Sequence, residues 1–113
     1  MIASISHPCF DNGECSSWIS EIVGGDLIIS RRIRHYSEPF DDMIDWRVRP
    51  DEIKQTRMFH RPLSWYACAF CSAGLVITAL VEPKPNNEFL EKDTQGKLIE
   101  DVPLHLVFEA TKL

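Results

Sequence analysis

The sequence predicts an α+β domain in which a mixed sheet of about three main strands, with an additional β ribbon, is covered by one main helix. The segment 62–74 repeats its apolar residues with the period of an α-helix. Segments 75–81 and 104–110 are continuous apolar runs of strand length. Residues 44–49 alternate apolar and charged side chains, which is the period of two typical of a β ribbon.

The composition indicates one folded domain that spans residues 1–113. The chain is 44% hydrophobic and 26% charged, as is usual for globular proteins. A formal net charge of −5 argues against nucleic acid as a partner, because phosphate contacts need a cationic surface. No apolar stretch approaches the ~20 residues of a membrane span, and the first six residues lack the positive charge of a secretory signal. We therefore expect a cytoplasmic protein with reduced cysteines and no membrane contact.

Residues 1–10 predict a short core strand and a loop. Ile2 to Ser6 is mostly apolar and of strand length. His7-Pro8 follows it, and a proline disfavours helix at the residue before it. We expect a brief buried strand that ends in a loop.

Residues 11–58 predict an insertion that contains the β ribbon. The run Trp18 to Val23 is expected to form a helical turn, which the pair Gly24-Gly25 would end. Residues 26–36 mix isoleucine with serine and arginine and are β-like.

The second half of the insertion carries the alternating pattern of the ribbon. Such a strand has one face covered and one face in water. Residues 54–59 are expected to extend the ribbon, and the paired acids Asp41-Asp42 indicate a solvated turn.

Residues 59–113 predict a helix, a strand, a loop and a second strand. Pro62 is placed at the start of the helix and Gly74 just past its end. One apolar face contains Leu63, Tyr66, Ala67, Phe70 and Cys71. Leu75 to Val81 predicts a buried strand, and 83–101 a loop with one helical turn at 88–92. Residues 104–110 are apolar on both faces, which indicates a central strand.

Five stretches of the sequence, taken together, resemble the class I S-adenosylmethionine-dependent methyltransferases. Phe59-His60-Arg61-Pro62-Leu63-Ser64-x-Tyr66, then Ser72-Ala73-Gly74-Leu75 and Glu82-Pro83, are similar to that family's last helix and the strand after it. The closing run from Pro103 to Lys112 is similar to its final strand, and Ser4 to Phe10 to the end of its fifth strand. The chain thus resembles the C-terminal portion of a Rossmann-like methyltransferase fold.

The resemblance implies that strands five, seven and six of the family are neighbours here, with seven antiparallel between the other two. It also implies that the cofactor-binding half, with its Gly-rich turn after the first strand, is absent. No G-x-G occurs, and Gly24-Gly25 follows no predicted strand. We therefore expect that the chain alone neither binds S-adenosylmethionine nor transfers a methyl group. The open edge of Ile2 to Ser6 predicts a homo-oligomer or a complementary cofactor-binding chain as partner.

The resemblance also implies which residues surround a small-molecule acceptor. His7, Cys9 and Phe10 would lie at the mouth of the site and His60 and Arg61 would face it, with Trp18, Tyr36 and Trp46 as lid residues. A histidine could act as general base and an arginine could hold a carboxylate in a bidentate pair. The structural alternative is that His60 and Arg61 cap a helix and that the aromatic residues are core.

Three functions remain open at this point. The first is a truncated or split methyltransferase segment, and the second is a stand-alone oligomeric binding module. The third is a zinc protein using His7, Cys9, Cys15 and Cys68-x-x-Cys71, although the last pair falls inside the predicted helix. We predict no metal site for that reason. A basic run at 31–35 indicates either a solvated face or an anion-binding segment.

Overall fold

The computed structural model of the chain describes residues 1–84 and 101–113. The helical turn expected at 88–92, and most of the expected loop around it, lie outside the described residues. No helix in the described part is long and apolar enough to cross a membrane. The elements are β1 (Ile2–Ser6), a 3₁₀ turn (Gly13–Cys15), β2 (Ser16–Val23), β3 (Asp26–Ile33), β4 (Phe40–Arg49), β5 (Glu52–His60), α1 (Leu63–Ser72), β6 (Leu75–Val81) and β7 (His105–Lys112).

The main sheet consists of three strands in the order β1-β7-β6. The central strand β7 is antiparallel to both neighbours, as the resemblance implied. The expectation of a mixed sheet is wrong for the described residues, where every pairing is antiparallel. The two parallel strands, β1 and β6, are separated by β7 and therefore never pair.

The helix α1 covers one face of this sheet and encloses the core. Phe70 of the helix packs against Phe108 of β7 with ring centroids 5.0 Å apart, and Tyr66 lies 5.6 Å from the same ring. Leu106, Phe108 and Ala110 are buried. Pro62 precedes the helix, and Gly74 follows it with a φ of 77°, which a residue without a Cβ adopts easily. The sequence placed this helix within one residue at each end.

The second face of the sheet is largely exposed. β6 was expected to be buried, yet Val76 is 42% and Leu80 is 52% exposed. No second layer covers this face among the described residues, so only the helix side of β6 is shielded. Cys71 was expected on the packed face of α1 and is instead exposed, as is Cys68. The contact with the sheet is made by Leu63, Tyr66 and Phe70.

The insertion consists of two hairpins instead of one ribbon. The predicted strand at 44–49 and its extension at 54–59 are confirmed, since β4 pairs with β5. The predicted turn at Asp41-Asp42 is wrong, because both residues belong to β4 and pair with β5.

The helical turn predicted at Trp18 to Val23 is also wrong, because this run is β2. Val23 pairs with Asp26, so the loop contains only Gly24 and Gly25, with φ values of 60° and 86°. A two-residue loop with both φ values positive is the type I′ turn, whose twist matches a β hairpin.

Candidate functional site

A cleft of about 320 Å³ opens where the loop after β1 meets the end of β5 and the start of α1. Its charged and polar walls come from three separate parts of the chain. They include Asp11, Arg57, His60, Arg61 and Tyr66. The connection from β5 into α1 is only two residues long, which fixes the positions of His60 and Arg61 relative to the helix.

His60 is a cleft residue with one ring nitrogen fixed by the backbone. Its side chain is 3% exposed, and Nε2 lies 2.7 Å from the carbonyl oxygen of Tyr36. A carbonyl can only accept, so Nε2 carries the proton and donates it. The lone pair of the neutral ring therefore resides on Nδ1, which has no hydrogen-bond partner among the described residues. The ring is thereby held in the tautomer that a base at Nδ1 requires.

His7 has a different environment and does not line the cleft. The backbone N–H of Cys9 donates to Nδ1 at 3.2 Å, so the proton lies on Nε2, which donates to Glu82 at 2.6 Å. Both ring nitrogens are engaged and the residue is 4% exposed. His7 connects the loop after β1 to the end of β6 and leaves no lone pair for a ligand.

Arg61 is anchored through a single guanidinium nitrogen. Nη1 donates to the carbonyl oxygens of His60 at 2.6 Å and Phe40 at 3.2 Å, and lies 3.4 Å from a carboxylate oxygen of Asp41. Nε and Nη2 have no partner within the described ranges. The side chain is 25% exposed. The guanidinium is thus held in place while two of its nitrogens are available to an anion in the cleft.

Tyr36 joins the three parts of the site and is not a lid. Its hydroxyl accepts the N–H of Leu63 at 3.0 Å and faces the thiol of Cys9 at 3.9 Å. Burial raises the pKa of Tyr36. The hydrogen bond from the Leu63 N–H acts in the opposite direction and lowers this pKa, whereas the neighbouring thiol of Cys9 raises it further. Burial also raises the pKa of Tyr66, against the opposing effect of Arg61. Both phenols are therefore neutral hydroxyls at physiological pH.

Both tryptophans lie outside the cleft. The Trp18 ring packs on the guanidinium of Arg31 at 4.9 Å. Trp46 is 54% exposed, and its indole N–H donates to Thr56 at 2.6 Å. It borders a second cavity of about 400 Å³ instead. The structure therefore brings six of the eight candidate residues into one connected group, namely His7, Cys9, Phe10, Tyr36, His60 and Arg61.

Arg31, the first residue of the basic run at 31–35, supports the cleft, a role that neither interpretation of that run included. Its side chain is 11% exposed and donates to the carbonyl oxygen of Phe10 at 2.8 Å and to the hydroxyl of Ser16 at 3.1 Å. The carboxylate of Asp11 lies 3.8 Å away. Desolvation lowers the pKa of Arg31 although Asp11 acts in the opposite direction. The guanidinium thus fixes the loop that carries Asp11, and its Nε and Nη2 are engaged by protein groups.

Asp11 and Glu82 were also missed by sequence reasoning. Asp11 lies in a turn-rich segment, and nothing local marks it as a cleft residue. Glu82 directly follows β6, a position where a polar side chain at the end of an apolar strand is a usable signal.

The described residues fit neither zinc nor S-adenosylmethionine. No group of three or more His, Cys, Asp or Glu side chains in the described ranges could hold a metal ion. Gly24 and Gly25 form an exposed hairpin turn, and a Cβ at either would meet nothing within 4 Å. The link from β5 to α1 contains no glycine, and the N–H of Leu63 is already bonded to Tyr36. The glycine-rich backbone turn expected of the cofactor site is therefore not formed by these residues.

Alkaline pH is expected to destabilise the fold through the partly buried phenols of Tyr36 and Tyr66. Their folded-state pKa values lie above the usual 10.0, so the native state favours the protonated form. Their contribution to stability is complete below pH 10 and is lost as the pH rises through the folded-state pKa values. Urea unfolding between pH 8 and 11 measures this loss. Phenolate absorbance assigns it, because the chain contains only two tyrosines.

The control is the double variant Tyr36→Phe, Tyr66→Phe. It should lose less free energy of unfolding over the same pH interval than the parent chain does. An equal loss in both proteins would show that other groups cause the alkaline transition.

Comparison with known structures shows that the fold is similar to part of a longer solved structure. The match is a crystal structure from Listeria monocytogenes, provisionally assigned as an S-adenosylmethionine dependent methyltransferase. The TM-score is 0.70 and the sequences are 19% identical. The alignment covers 99% of this chain and 47% of the other, so the chain spans about half of that protein's length. No family model and no curated protein matches the sequence.

Proposed function

We propose that the chain is the acceptor-binding segment of a class I S-adenosylmethionine-dependent methyltransferase, equivalent to the C-terminal part of the Rossmann-like fold. The arrangement of the main sheet carries this proposal. β7 lies antiparallel between β1 and β6, in a chain whose fold covers 47% of a longer methyltransferase-like structure. The cofactor is then held by a segment outside this chain.

The outer edge of β1 is the place where such a segment would join. Within residues 1–84 and 101–113, β1 pairs with β7 on one side only, and Ile2 is 75% exposed. Unpaired apolar edges are normally covered in folded proteins. At the same end of the sheet, an apolar hollow of about 270 Å³ lies between Met1, Phe70 and Leu75. A strand added to β1 would complete the sheet, and an apolar side chain beside it would fill the hollow.

The chemistry of the cleft favours a small acceptor that carries a carboxylate. Nε and Nη2 of Arg61 match the two oxygens of a carboxylate in a bidentate pair. Nδ1 of His60 is positioned to remove a proton from a hydroxyl or amine of the same molecule. The neutral hydroxyl of Tyr66 can donate a further hydrogen bond.

A stand-alone binding module is the second candidate function. The cleft is formed entirely by residues of this chain, so binding of a small anion does not require another segment. The two candidates differ in one respect. Only the methyltransferase segment acquires cofactor binding when its partner is present.

Calorimetric titration of the purified chain with S-adenosylmethionine or S-adenosylhomocysteine is expected to give no binding. The same chain, isolated with its partner from its native source, is expected to transfer a methyl group. Photo-labelling with methyl-labelled cofactor should then mark the partner and not this chain. Replacing His60 with glutamine should reduce transfer within that complex and leave the labelling unchanged.

Two results would contradict the proposal. Micromolar cofactor binding by the isolated folded chain would show that the cofactor site is present after all. Isolation of the chain without any methyl transfer or cofactor labelling, together with binding of small carboxylates such as benzoate, would favour the stand-alone module.

A further inference from the structure

The β2–β3 hairpin forms an arm that projects from the rest of the molecule. Every residue from 20 to 28 is exposed. The exposed side chains include Ile22 at 76%, Leu27 at 65% and Val23 at 51%. An isolated two-stranded hairpin is at best marginally stable in water. An apolar arm of this kind therefore requires a further strand or surface.

The turn geometry determines which backbone groups of the arm are available. Val23 and Asp26 flank the two-residue loop and so exchange both of their hydrogen bonds. Hydrogen-bonded and non-bonded pairs then alternate along the ladder, so residues 26, 28, 30 and 32 bond to β2. The N–H and C=O groups of Leu27, Ile29 and Arg31 point away from β2. They have no partner in the described part of the chain.

The outer edge of β3 lacks the features that normally prevent edge pairing. Residues 27–30 are Leu-Ile-Ile-Ser, without a charge or a proline, whereas protected edges carry lysine, proline or a bulge. Opposite charges flank this stretch, with Asp26 on one side and Arg31 and Arg32 on the other. Asp26 and Arg32 are exposed. Such a strand is complementary to a second copy of itself in the antiparallel direction.

We propose that two copies of this chain form a two-fold dimer by antiparallel pairing of the outer edges of β3, with Ile29 on the axis. In this register the backbone of Leu27 in each copy forms hydrogen bonds with the backbone of Arg31 in the other copy. These bonds, together with those between the two Ile29 residues, satisfy the outward N–H and C=O groups. Asp26 of each copy lies opposite Arg32 of the other, in the closely spaced type of pair.

Other registers fit less well. A shift by one residue places the outward N–H and C=O groups of one copy opposite residues of the other copy whose N–H and C=O groups are already bonded to β2. A shift by two residues toward the turn places Asp26 opposite Ser30 and removes both ion pairs. A shift by two residues away from the turn places Asp26 opposite Arg34, which lies beyond the end of β3 at Ile33. In that register Arg32 faces Ile28, so reversing Arg32 would not weaken association. The contact is smaller than the ~800 Å² per partner of a standard interface, so we expect a reversible dimer in the micromolar range. This dimer is independent of the reaction proposed for the cleft.

Sedimentation equilibrium with charge-reversed variants tests the register. Asp26→Arg and Arg32→Asp each create two like-charge contacts in a homodimer, and each is expected to weaken association about tenfold. An equimolar mixture of the two variants restores two opposite-charge contacts and should form a heterodimer about as tight as the parent dimer. Within one copy the two residues lie at opposite ends of β3, so neither reversal affects the other directly.

Hydrogen exchange provides a second measurement that does not depend on the variants. The amide of Ile29 should become protected as the concentration rises, because its N–H points outward, while the amide of Ile28 is bonded to β2 at every concentration. A chain that stays monomeric up to about 1 mM would overturn the proposal, as would a dimer that neither reversal weakens. Failure of the mixed variants to associate would exclude this register.

Discussion

Replacing Phe108 with alanine is expected to cost about 3–5 kcal/mol of the free energy of unfolding, the usual range for a buried phenylalanine. Phe108 is 1% exposed at the centre of β7, the strand that holds the main sheet together. Its ring contacts Phe70 and Tyr66, so the substitution opens a cavity between the helix and the sheet. The total free energy of unfolding of a small domain is about 5–15 kcal/mol, so the variant should be close to unfolded at room temperature.

Urea denaturation followed by tryptophan fluorescence and circular dichroism measures this effect. Val76→Ala is the matched control, because Val76 belongs to the same sheet but is 42% exposed on the opposite face. The control should lose less than about 1 kcal/mol. Comparable losses for both variants would show that the uncovered face of the sheet is buried in solution, for example by an interface.

The sequence determined the main sheet and its helix because each has a strong local signal. The helix from Leu63 to Ser72 has an apolar stripe, a proline before it and a glycine after it. β6 and β7 are long apolar runs bounded by breakers. Their order in the sheet could not be derived from these patterns, and it came from the resemblance to a family.

The errors occurred where one local signal fits two structures. A glycine pair ends a helix or forms a type I′ turn equally well, and the run before Gly24 is too short for periodicity to decide. Its correct interpretation depends on Val23 pairing with Asp26, and therefore on a partner strand. Burial of β6 was overestimated for a similar reason, since an apolar run does not indicate how many layers cover it.

Contacts between distant residues were beyond the reach of sequence patterns. The pair of His7 and Glu82 joins positions 75 residues apart and removes His7 from the group of available bases. The backbone carbonyl of Tyr36 determines which ring nitrogen of His60 carries the lone pair. Every residue has such a carbonyl, so the sequence gives no indication of this contact. Six of the candidate residues do lie together, but their separate roles depend on these hydrogen bonds.

Replacing Arg31 with methionine is expected to destabilise the protein by about 2–4 kcal/mol, because it leaves the Phe10 carbonyl without its donor and removes the positive charge near Asp11. The carbonyl of Phe10 loses its donor, and Asp11 loses a nearby positive charge. The hydroxyl of Ser16 loses one of its two donors but keeps the N–H of Asn12. Methionine fills a similar volume, so the loss measures hydrogen bonds more than packing. Arg31→Lys should recover only part of it, since one ammonium cannot reproduce the planar fork that reaches two separate acceptors.

Arg34→Met is the matched control, because Arg34 is exposed and donates no side-chain hydrogen bond within the described residues. Its free energy of unfolding should remain within about 0.5 kcal/mol of the parent value. Thermal and urea unfolding of the three variants measures the difference. Equal stability of Arg31→Met and Arg34→Met would mean that Arg31 is solvated in solution and that Asp11 is positioned by other contacts. A selective loss at Arg31 would establish that the wall of the cleft depends on a residue of β3, the strand that we propose to pair in the dimer.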